Sequence, residues 1–198
     1  MTARQIILAV ITLFAFTQFD CKKIDITPRK NRNDPKKGIN YLILQGKHSS
    51  ERNEYSSVKY TIQKFEVIFD SSAIYKTITP GNQYDINKLF GFSDNDADHH
   101  SYSARFGWRW NNGALRLFGY VYNNKILSQA EIMVIKIGIL YQCSIGVAAD
   151  QYLFTVGNKS IAIVRSSTTP TASGYKLYPY FGGDETAPHD IHIWIKEY

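Results

Sequence analysis

The sequence lacks several features by which other protein classes are recognised. Six prolines and 13 glycines in 198 residues are too few for a fibrous repeat or a low-complexity chain. The main apolar run, Ile6 to Phe16, is too short for a bilayer-spanning helix, which takes roughly 20 residues. No stretch keeps a helical hydrophobic period, and the length makes two large catalytic domains improbable. These absences leave one mainly non-helical domain.

Local motifs of common enzymes are absent as well. The chain has no glycine-rich phosphate loop, no Gly-x-Ser-x-Gly and no His-Glu-x-x-His. Nucleotide transfer, α/β-hydrolase chemistry and zincin-type proteolysis therefore have no local support in the sequence.

Aromatic residues are what the chain has in abundance. Hydrophobic residues make up 44% and charged residues 20% of the sequence, so the chain can bury a core. Tyr, Phe and Trp alone make up 14%, and aromatic residues are typical of β-sheets and ligand-binding faces. We expect a globular protein rich in β-structure.

The N-terminal residues have the pattern of an export signal, because Arg4 precedes the apolar run. The following Thr17-Gln18-Phe19-Asp20-Cys21 resembles the processing site of bacterial lipoproteins. That resemblance implies a signal peptide over residues 1–20, a lipid anchor on Cys21 and a place in the bacterial cell envelope, at the outer membrane. Asp20 stands where those lipoproteins prefer a small residue, and ordinary secretion is the alternative.

Residues 21–38 are predicted to form the lipid anchor and a basic, flexible tether. Pro28 and Pro35 interrupt regular structure, and most of the formal net charge of +6 lies in this segment. Such a charge favours anionic membrane surfaces. The remaining chain is close to neutral, so we do not expect nucleic acid among its partners.

Cys143 is the second of the two cysteines. If Cys21 carries a lipid, Cys143 has no disulfide partner, and its apolar surroundings predict a buried thiol rather than a nucleophile. The alternative is a bridge between Cys21 and Cys143.

From residue 39 to residue 198 the pattern predicts one all-β sandwich or barrel. Short alternating segments are separated by turn residues throughout this range. In Val58 to Asp70 the apolar positions change from even to odd near Gln63, which predicts a bulge or a bend. The segment Asp85 to Gly91 is expected to form a single helical turn that ends at the glycine.

Ser103 to Tyr122 is predicted to form a β-hairpin. Asn112-Gly113 suits a two-residue type I′ turn, which pairs Asn111 with Ala114. One side of the hairpin then carries the facing pairs Trp110 and Leu115, Trp108 and Leu117, and Phe106 and Gly119. The other side carries Arg109 and Arg116, Gly107 and Phe118, and Arg105 and Tyr120.

The second side of this hairpin is the candidate ligand-binding surface. Arg109 directly opposite Arg116 is unfavourable unless an anion compensates. A guanidinium group fits a carboxylate or a sulfate, and tyrosine rings suit sugars. The predicted binding residues are Arg105, Arg109, Arg116, Tyr120, Tyr122 and His100. The alternative is a structural network in which Glu131 or Glu66 pairs with the arginines.

The segment before this hairpin contains acidic residues at alternate positions. Asp94, Asp96 and Asp98 offer oxygen ligands for calcium. The segment lacks the glycine and the glutamate of an EF-hand loop, so an exposed turn is favoured over a metal site. No other cofactor is expected. His99 and His100 are adjacent and disfavour a shared zinc site, but either could transfer protons.

The C-terminal part ends with the alternating strand pattern Asp190 to Lys196 after the turn Phe181-Gly182-Gly183 and Ala187-Pro188. Together with Arg105-Phe106-Gly107-Trp108-Arg109, these segments resemble the concanavalin-like jelly rolls of some polysaccharide lyases and carbohydrate-binding modules. They also resemble small uncharacterised lipoproteins of the bacterial envelope. The resemblance implies an antiparallel β-sandwich of jelly-roll type, with at most one or two short helical turns, and a carbohydrate ligand. It assigns no catalytic residue.

Three functions are consistent with these features. The first is carbohydrate binding, including acidic polysaccharide, by an exported lipoprotein. The second is a polysaccharide lyase that cleaves uronate polymers by β-elimination. In that reaction Arg109 or Arg116 would neutralise the carboxylate, and Tyr120, Tyr122 or His100 would move the proton. The third is a structural or protein-interaction module of the envelope.

Overall fold

The computed structural model describes residues 33–34, 37–167 and 169–198. The predicted signal peptide (1–20), Cys21 and most of the predicted tether lie outside the described residues. Within the described ranges, no helix is long and apolar enough to cross a membrane.

The described chain consists mainly of β-strands. Their bounds are β1 Asn33–Asp34, β2 Gly38–Ile43, β3 Ser57–Tyr60, β4 Ile62–Phe69, β5 Asn87–Ser93, β6 Tyr102–Asn111, β7 Ala114–Asn123, β8 Ile126–Ile135, β9 Tyr141–Val147, β10 Gln151–Val156, β11 Lys159–Val164, β12 Ala172–Leu177 and β13 Ile191–Glu197. Two short 3₁₀ turns, Ser71–Ala73 and Pro80–Tyr84, are the helical elements of the described residues. β1 and the first residue of β2 extend the sheet upstream of residue 39.

The strands form two antiparallel sheets that pack face to face. One has seven strands in the order β1-β2-β13-β4-β9-β10-β11, and the other has six in the order β3-β12-β5-β6-β7-β8. The predicted all-β antiparallel sandwich is therefore confirmed. The number and length of its helical turns also agree with the prediction.

The core lies between the sheets and is built from alternate residues of each strand, as strand geometry requires. Several of its aromatic rings meet edge to face. The Phe106 ring lies 5.4 Å from that of Phe65 and 5.2 Å from that of Phe154, so one phenylalanine of the six-stranded sheet contacts two from the opposite sheet. Trp108 is fully buried beside them. Cys143 is buried in the same core, as predicted, and burial raises the pKa of its thiol.

The change of apolar phase near Gln63 marks a crossing between the sheets. β3 ends at Tyr60 in the six-stranded sheet, and β4 begins at Ile62 in the seven-stranded sheet. The predicted bend is present, at Thr61. The core lies between the two sheets, so the two sheets face it from opposite sides. A chain that passes from one sheet to the other must therefore change which of its alternate positions are apolar.

The helical turn predicted for Asp85 to Gly91 is wrong. β5 begins at Asn87, and its residues Phe90 and Phe92 are buried in the core. The 3₁₀ turn lies upstream and starts at Pro80, a residue suited to the first position of a helical turn. Pairing with β6 and β12 on both sides determines the extended conformation of β5.

The predicted hairpin register is confirmed in full. β6 and β7 pair from Asn111 with Ala114 through Arg105 with Tyr120, and Arg109 lies opposite Arg116. The turn residues Asn112 and Gly113 have φ values of 51° and 68°. Both values are positive, as a type I′ turn requires.

Candidate functional site

The side of the six-stranded sheet that faces away from the core carries most of the predicted site residues. We call this surface the outer face. It is formed by alternate residues of β6 and β7 that do not enter the core: Arg105, Gly107, Arg109, Arg116, Phe118, Tyr120 and Tyr122. Lys88 of β5 is opposite Gly107 and joins the same surface.

Arg105 is the centre of this surface. Its residue is only 7% exposed, and its buried Nε has no hydrogen-bond partner. Among the described residues it forms no ion pair. Its main electrostatic neighbours are four tyrosines: Tyr120, Tyr122, Tyr175 and Tyr180. Burial lowers the pKa of the guanidinium group to about 10, and the four tyrosines oppose that shift.

Lys88 is a site residue that the sequence reasoning missed. Its Nζ donates a hydrogen bond to the Gly182 carbonyl oxygen at 2.8 Å. It also lies 5.4 Å from the Tyr120 ring centre and 5.9 Å from that of Tyr180. Burial, and then the charge of Arg105, lower the pKa of Lys88 to about 8, while Asp85 opposes the shift. Lys88 is half-buried, and it forms no ion pair among the described residues.

Arg109 and Arg116 have partners within the chain. Arg116 forms an ion pair with Glu131 of β8 at 2.8 Å. The structural alternative considered for the arginines therefore holds for this residue. Arg109 donates a hydrogen bond to the Tyr84 carbonyl oxygen at 2.7 Å, and its guanidinium lies 4.7 Å from the Phe118 ring centre. Glu66 belongs to β4 of the other sheet.

A small apolar ridge divides the arginines of the outer face. Ile86 and Phe118 are buried here, outside the main core. Ile86 packs directly over Gly107, where a Cβ atom would overlap its side chain. In the register, this ridge lies between the pair Arg105–Tyr120 and the pair Arg109–Arg116. The structure thus brings Arg105, Tyr120 and Tyr122 together and sets Arg109 and Arg116 apart.

Three side chains with exchangeable protons form a chain of ring contacts near Arg105: Tyr120, Tyr122 and His100. The Tyr122 ring lies 5.9 Å from that of Tyr120 and 5.4 Å from that of His100. Burial raises the pKa of Tyr120, and the hydrogen bond with Tyr122 adds to the shift. The neighbouring His99 shares a 2.9 Å hydrogen bond with the Tyr175 hydroxyl. Burial and then His100 lower the pKa of His99.

The acidic segment before β6 is tied to the fold by its own contacts. Asp94 is buried, and one of its oxygens accepts hydrogen bonds from Arg165 at 2.7 Å and from the Tyr152 hydroxyl. Its other oxygen accepts from the backbone of Asn95 and Ser173. Among the described residues, no group of three His, Cys, Asp or Glu side chains is placed to hold a metal ion.

The other two acidic residues of that segment are engaged locally. Asp96 accepts a 2.6 Å hydrogen bond from the Ser173 hydroxyl. Asp98 accepts one from the backbone of His100 at 2.8 Å and so orients the start of β6. All three carboxylates thus shape the loop that leads into the outer face.

No protein-family model matches the sequence, and no curated protein matches it either. Among solved structures, the chain is similar to the alginate lyase AlyC3, with a TM-score of 0.56, 10% identity and coverage of 81% of this chain and 73% of that one. LamAcat from Zobellia galactanivorans has a TM-score of 0.48 and 11% identity, covering 80% of this chain and 75% of that one. The carbohydrate-binding module CBM66 from Bacillus subtilis has a TM-score of 0.37 and 12% identity, covering 74% and 81%. At such identities the similarity to AlyC3 shows the fold alone, which is a jelly-roll sandwich.

Proposed function

We propose that the outer face binds a carbohydrate that carries acidic groups, with Arg105 as the main anion-binding residue. The observation that carries the proposal is the state of Arg105: nearly buried, surrounded by tyrosines, and without an ion pair among the described residues. Burying a cation without a counter-charge costs stability. A ligand anion would supply the missing charge.

The side chains around Arg105 supply the other contacts that a sugar needs. A guanidinium group binds a carboxylate or sulfate through two parallel hydrogen bonds. Lys88 adds a second positive charge on the same side of the ridge. The Tyr122 and Tyr180 rings, which are not buried, offer flat surfaces for the apolar faces of sugar rings, and their hydroxyls offer hydrogen bonds.

The proposed setting is the bacterial envelope. The sequence around Cys21 supports a lipid anchor, and the basic residues between Cys21 and Gly38 support a position close to a membrane surface. Processing at Cys21 is tested by intact-mass measurement of the protein from bacterial membranes. An unlipidated mature chain would overturn this part of the proposal without affecting the binding site.

Binding is tested by titrating the protein with oligosaccharides of alginate, pectin and glycosaminoglycans in a calorimeter. Arg105→Gln should weaken binding of the acidic ligand by about tenfold or more, as expected for loss of a charge-assisted hydrogen-bond pair. Arg116→Gln is the matched control because Glu131 already holds that guanidinium, and its affinity should stay within about twofold. Unchanged affinity of Arg105→Gln would overturn the proposed site.

A second candidate function is cleavage of the same ligand by β-elimination. The contact between His100 and Tyr122 beside Arg105 favours it. In this reaction Tyr122 or His100 acts as the base and removes the proton next to the carboxylate. Arg105 stabilises the developing charge. The neighbouring C–O bond breaks, a C=C bond forms, and an acid protonates the departing oxygen. Arg105 takes here the role that the sequence reasoning gave to Arg109 or Arg116.

Lyase activity is measured as the absorbance of new unsaturated ends in the same polymers. Tyr122→Phe should abolish the signal while retaining most of the affinity, because the ring stays and only the hydroxyl is lost. Binding without any absorbance change in the wild type would leave a binding protein and exclude the lyase for those polymers.

A further inference from the structure

The outermost strand β8 differs from the other edge strands of the sandwich. β1 has two residues, β3 has four and β11 has six, whereas β8 has ten. β3 and β11 carry Lys59 and Lys159. β8 contains no lysine, arginine or proline. Proteins usually protect an edge strand from pairing with other chains by making it short or charged.

Exposed apolar side chains accompany this edge. Ile126 is 68% exposed and Val134 is 46% exposed, near the two ends of β8. On the adjacent edge strand β11, Val164 is 67% exposed. Among the strands that the structure describes, β8 pairs on one side only, with β7. The backbone groups of its other side and these side chains make this edge the part of the sandwich best suited to receive another strand.

We propose that β8 pairs antiparallel with β8 of a second copy of this chain. The charge on the strand favours an identical partner over a charged peptide. Glu131 is the only charged residue of β8, and Arg116 already neutralises it at 2.8 Å. A charged peptide would meet no opposite charge there, whereas an identical strand needs none. A two-fold axis through the strand pair makes the contact self-complementary.

The net charge of the folded part agrees with self-association. Of the formal net charge of +6, residues 39–198 contribute only +1. Two copies therefore meet without strong mutual repulsion, which would otherwise keep a highly charged domain monomeric.

Pairing at β8 would join two six-stranded sheets into one continuous sheet. Both outer faces would then lie on the same side of that sheet. This consequence rests on the proposed function: two anion-binding sites on one surface would hold a polymer more tightly than a short oligosaccharide, through effective concentration.

The test is the mass of the full chain in reducing buffer, measured by light scattering during size-exclusion chromatography. The expected mass is twice the 22.6 kDa of the chain. Ile126 and Ala130 are exposed and share the face of β8 that does not carry Gln129. Replacing both with lysine places two charges at the proposed interface and should give a monomer. Leu153→Lys combined with Ser160→Lys is the matched control, because it adds the same charge at exposed positions of β10 and β11 and should leave the dimer intact.

Three results would overturn the proposal. The first is a monomeric wild type at about 100 μM, a concentration at which even weak specific interfaces associate. The second is a dimer that persists in the variant with both β8 lysines. The third is a dimer that is lost equally in the control variant. Hydrogen exchange gives an independent measurement: β8 amides protected in a monomer would mean that another segment of this chain covers the edge. Short-oligosaccharide affinity of the β8 variant should match the wild type, so failure of the dimer and failure of the binding site are distinguishable.

Discussion

Lys88 and Arg105 share one aromatic ring. The centre of the Tyr120 ring lies 5.4 Å from the Lys88 ammonium and 5.6 Å from the Arg105 guanidinium carbon. Neither cation forms an ion pair within the described residues, and the charge of Arg105 lowers the pKa of Lys88 because the two cations repel. The buried Arg105 and the half-buried Lys88 are like charges beside one ring. They destabilise the free protein, and such a pair is the arrangement expected where an anion binds.

Replacing Lys88 should expose this conflict between stability and binding. Lys88→Met removes a half-buried charge and keeps the length of the side chain, so we expect a higher denaturation midpoint at pH 7 and weaker binding of an acidic oligosaccharide. Lys176→Met is the control. Lys176 is ion-paired with Glu197, and its loss should lower the midpoint. A lower midpoint in Lys88→Met would contradict our account of the half-buried ammonium.

The stability difference should depend on pH in a defined direction. The pKa of Lys88 is about 8 in the folded chain and 10.5 in its ordinary state. Between these values the unfolded chain holds a proton that the folded chain has released, so wild-type stability gains from this group as pH rises from 8 to 10. Comparing urea midpoints of wild type and Lys88→Met at pH 7 and pH 10 measures this. The advantage of the variant should shrink at pH 10.

Ligand affinity should also depend on the ionisation of Lys88, but it should fall as pH rises, whereas the stability contribution rises. Deprotonation of Lys88 removes one of two positive charges, so affinity for an acidic oligosaccharide should fall several-fold between pH 7 and pH 9.5. The fall should be much smaller in Lys88→Met and in Lys88→Arg, whose guanidinium stays charged, because Arg105, with a pKa of about 10, is then the remaining cation that begins to titrate. Calorimetric titration at several pH values checks this, and an equal fall in all three proteins would assign the effect to another group.

Asp94 is expected to be the most sensitive polar residue of the fold. Burial alone would raise the pKa of its carboxyl group, but hydrogen bonds from Arg165 and Tyr152 keep it below the ordinary value. Asp94→Asn leaves Arg165 buried without a counter-charge and should lower the free energy of unfolding by about 3–5 kcal/mol. Asp96→Asn, in the same loop but partly exposed, should cost less than about 1 kcal/mol. Urea denaturation distinguishes the two, and equal losses would contradict a special role for Asp94.

Gly107 is expected to be required beneath Ile86. A Cβ atom at position 107 would overlap the Ile86 side chain, so Gly107→Ala should cost about 1–3 kcal/mol of stability through overpacking. Ile86→Ala removes the obstructing atoms. The double variant should therefore lose less stability than the sum of the two single variants. Strictly additive losses in urea denaturation would show that the two positions are not coupled.

The hairpin could be derived from the sequence because its information is local. Asn112-Gly113 determines the turn, the turn determines the register, and strand alternation then assigns each side chain to a face. The change in the apolar pattern near Gln63 could also be read from the sequence. Its cause could not, because a local pattern does not reveal which sheet a strand belongs to.

Other features depended on distant parts of the chain. Gly91 has the pattern of a helix end, yet it is a glycine because β6 comes too close for a Cβ atom, with the Ala104 carbonyl oxygen nearest. Lys88 was missed for the same reason, since it lies on the strand interpreted as helical. The partner of Arg116 could be narrowed to Glu131 or Glu66, but only the pairing of β7 with β8 decides between them.

The ridge over Gly107 has a consequence for the shape of any bound chain. A polymer that reached from Arg105 to Arg109 would have to pass the point where Ile86 packs over Gly107. Occupying both ends at once calls for a backbone that arches at its glycosidic linkages, so stiffness and linkage geometry, as well as acidity, would govern which glycans this protein selects.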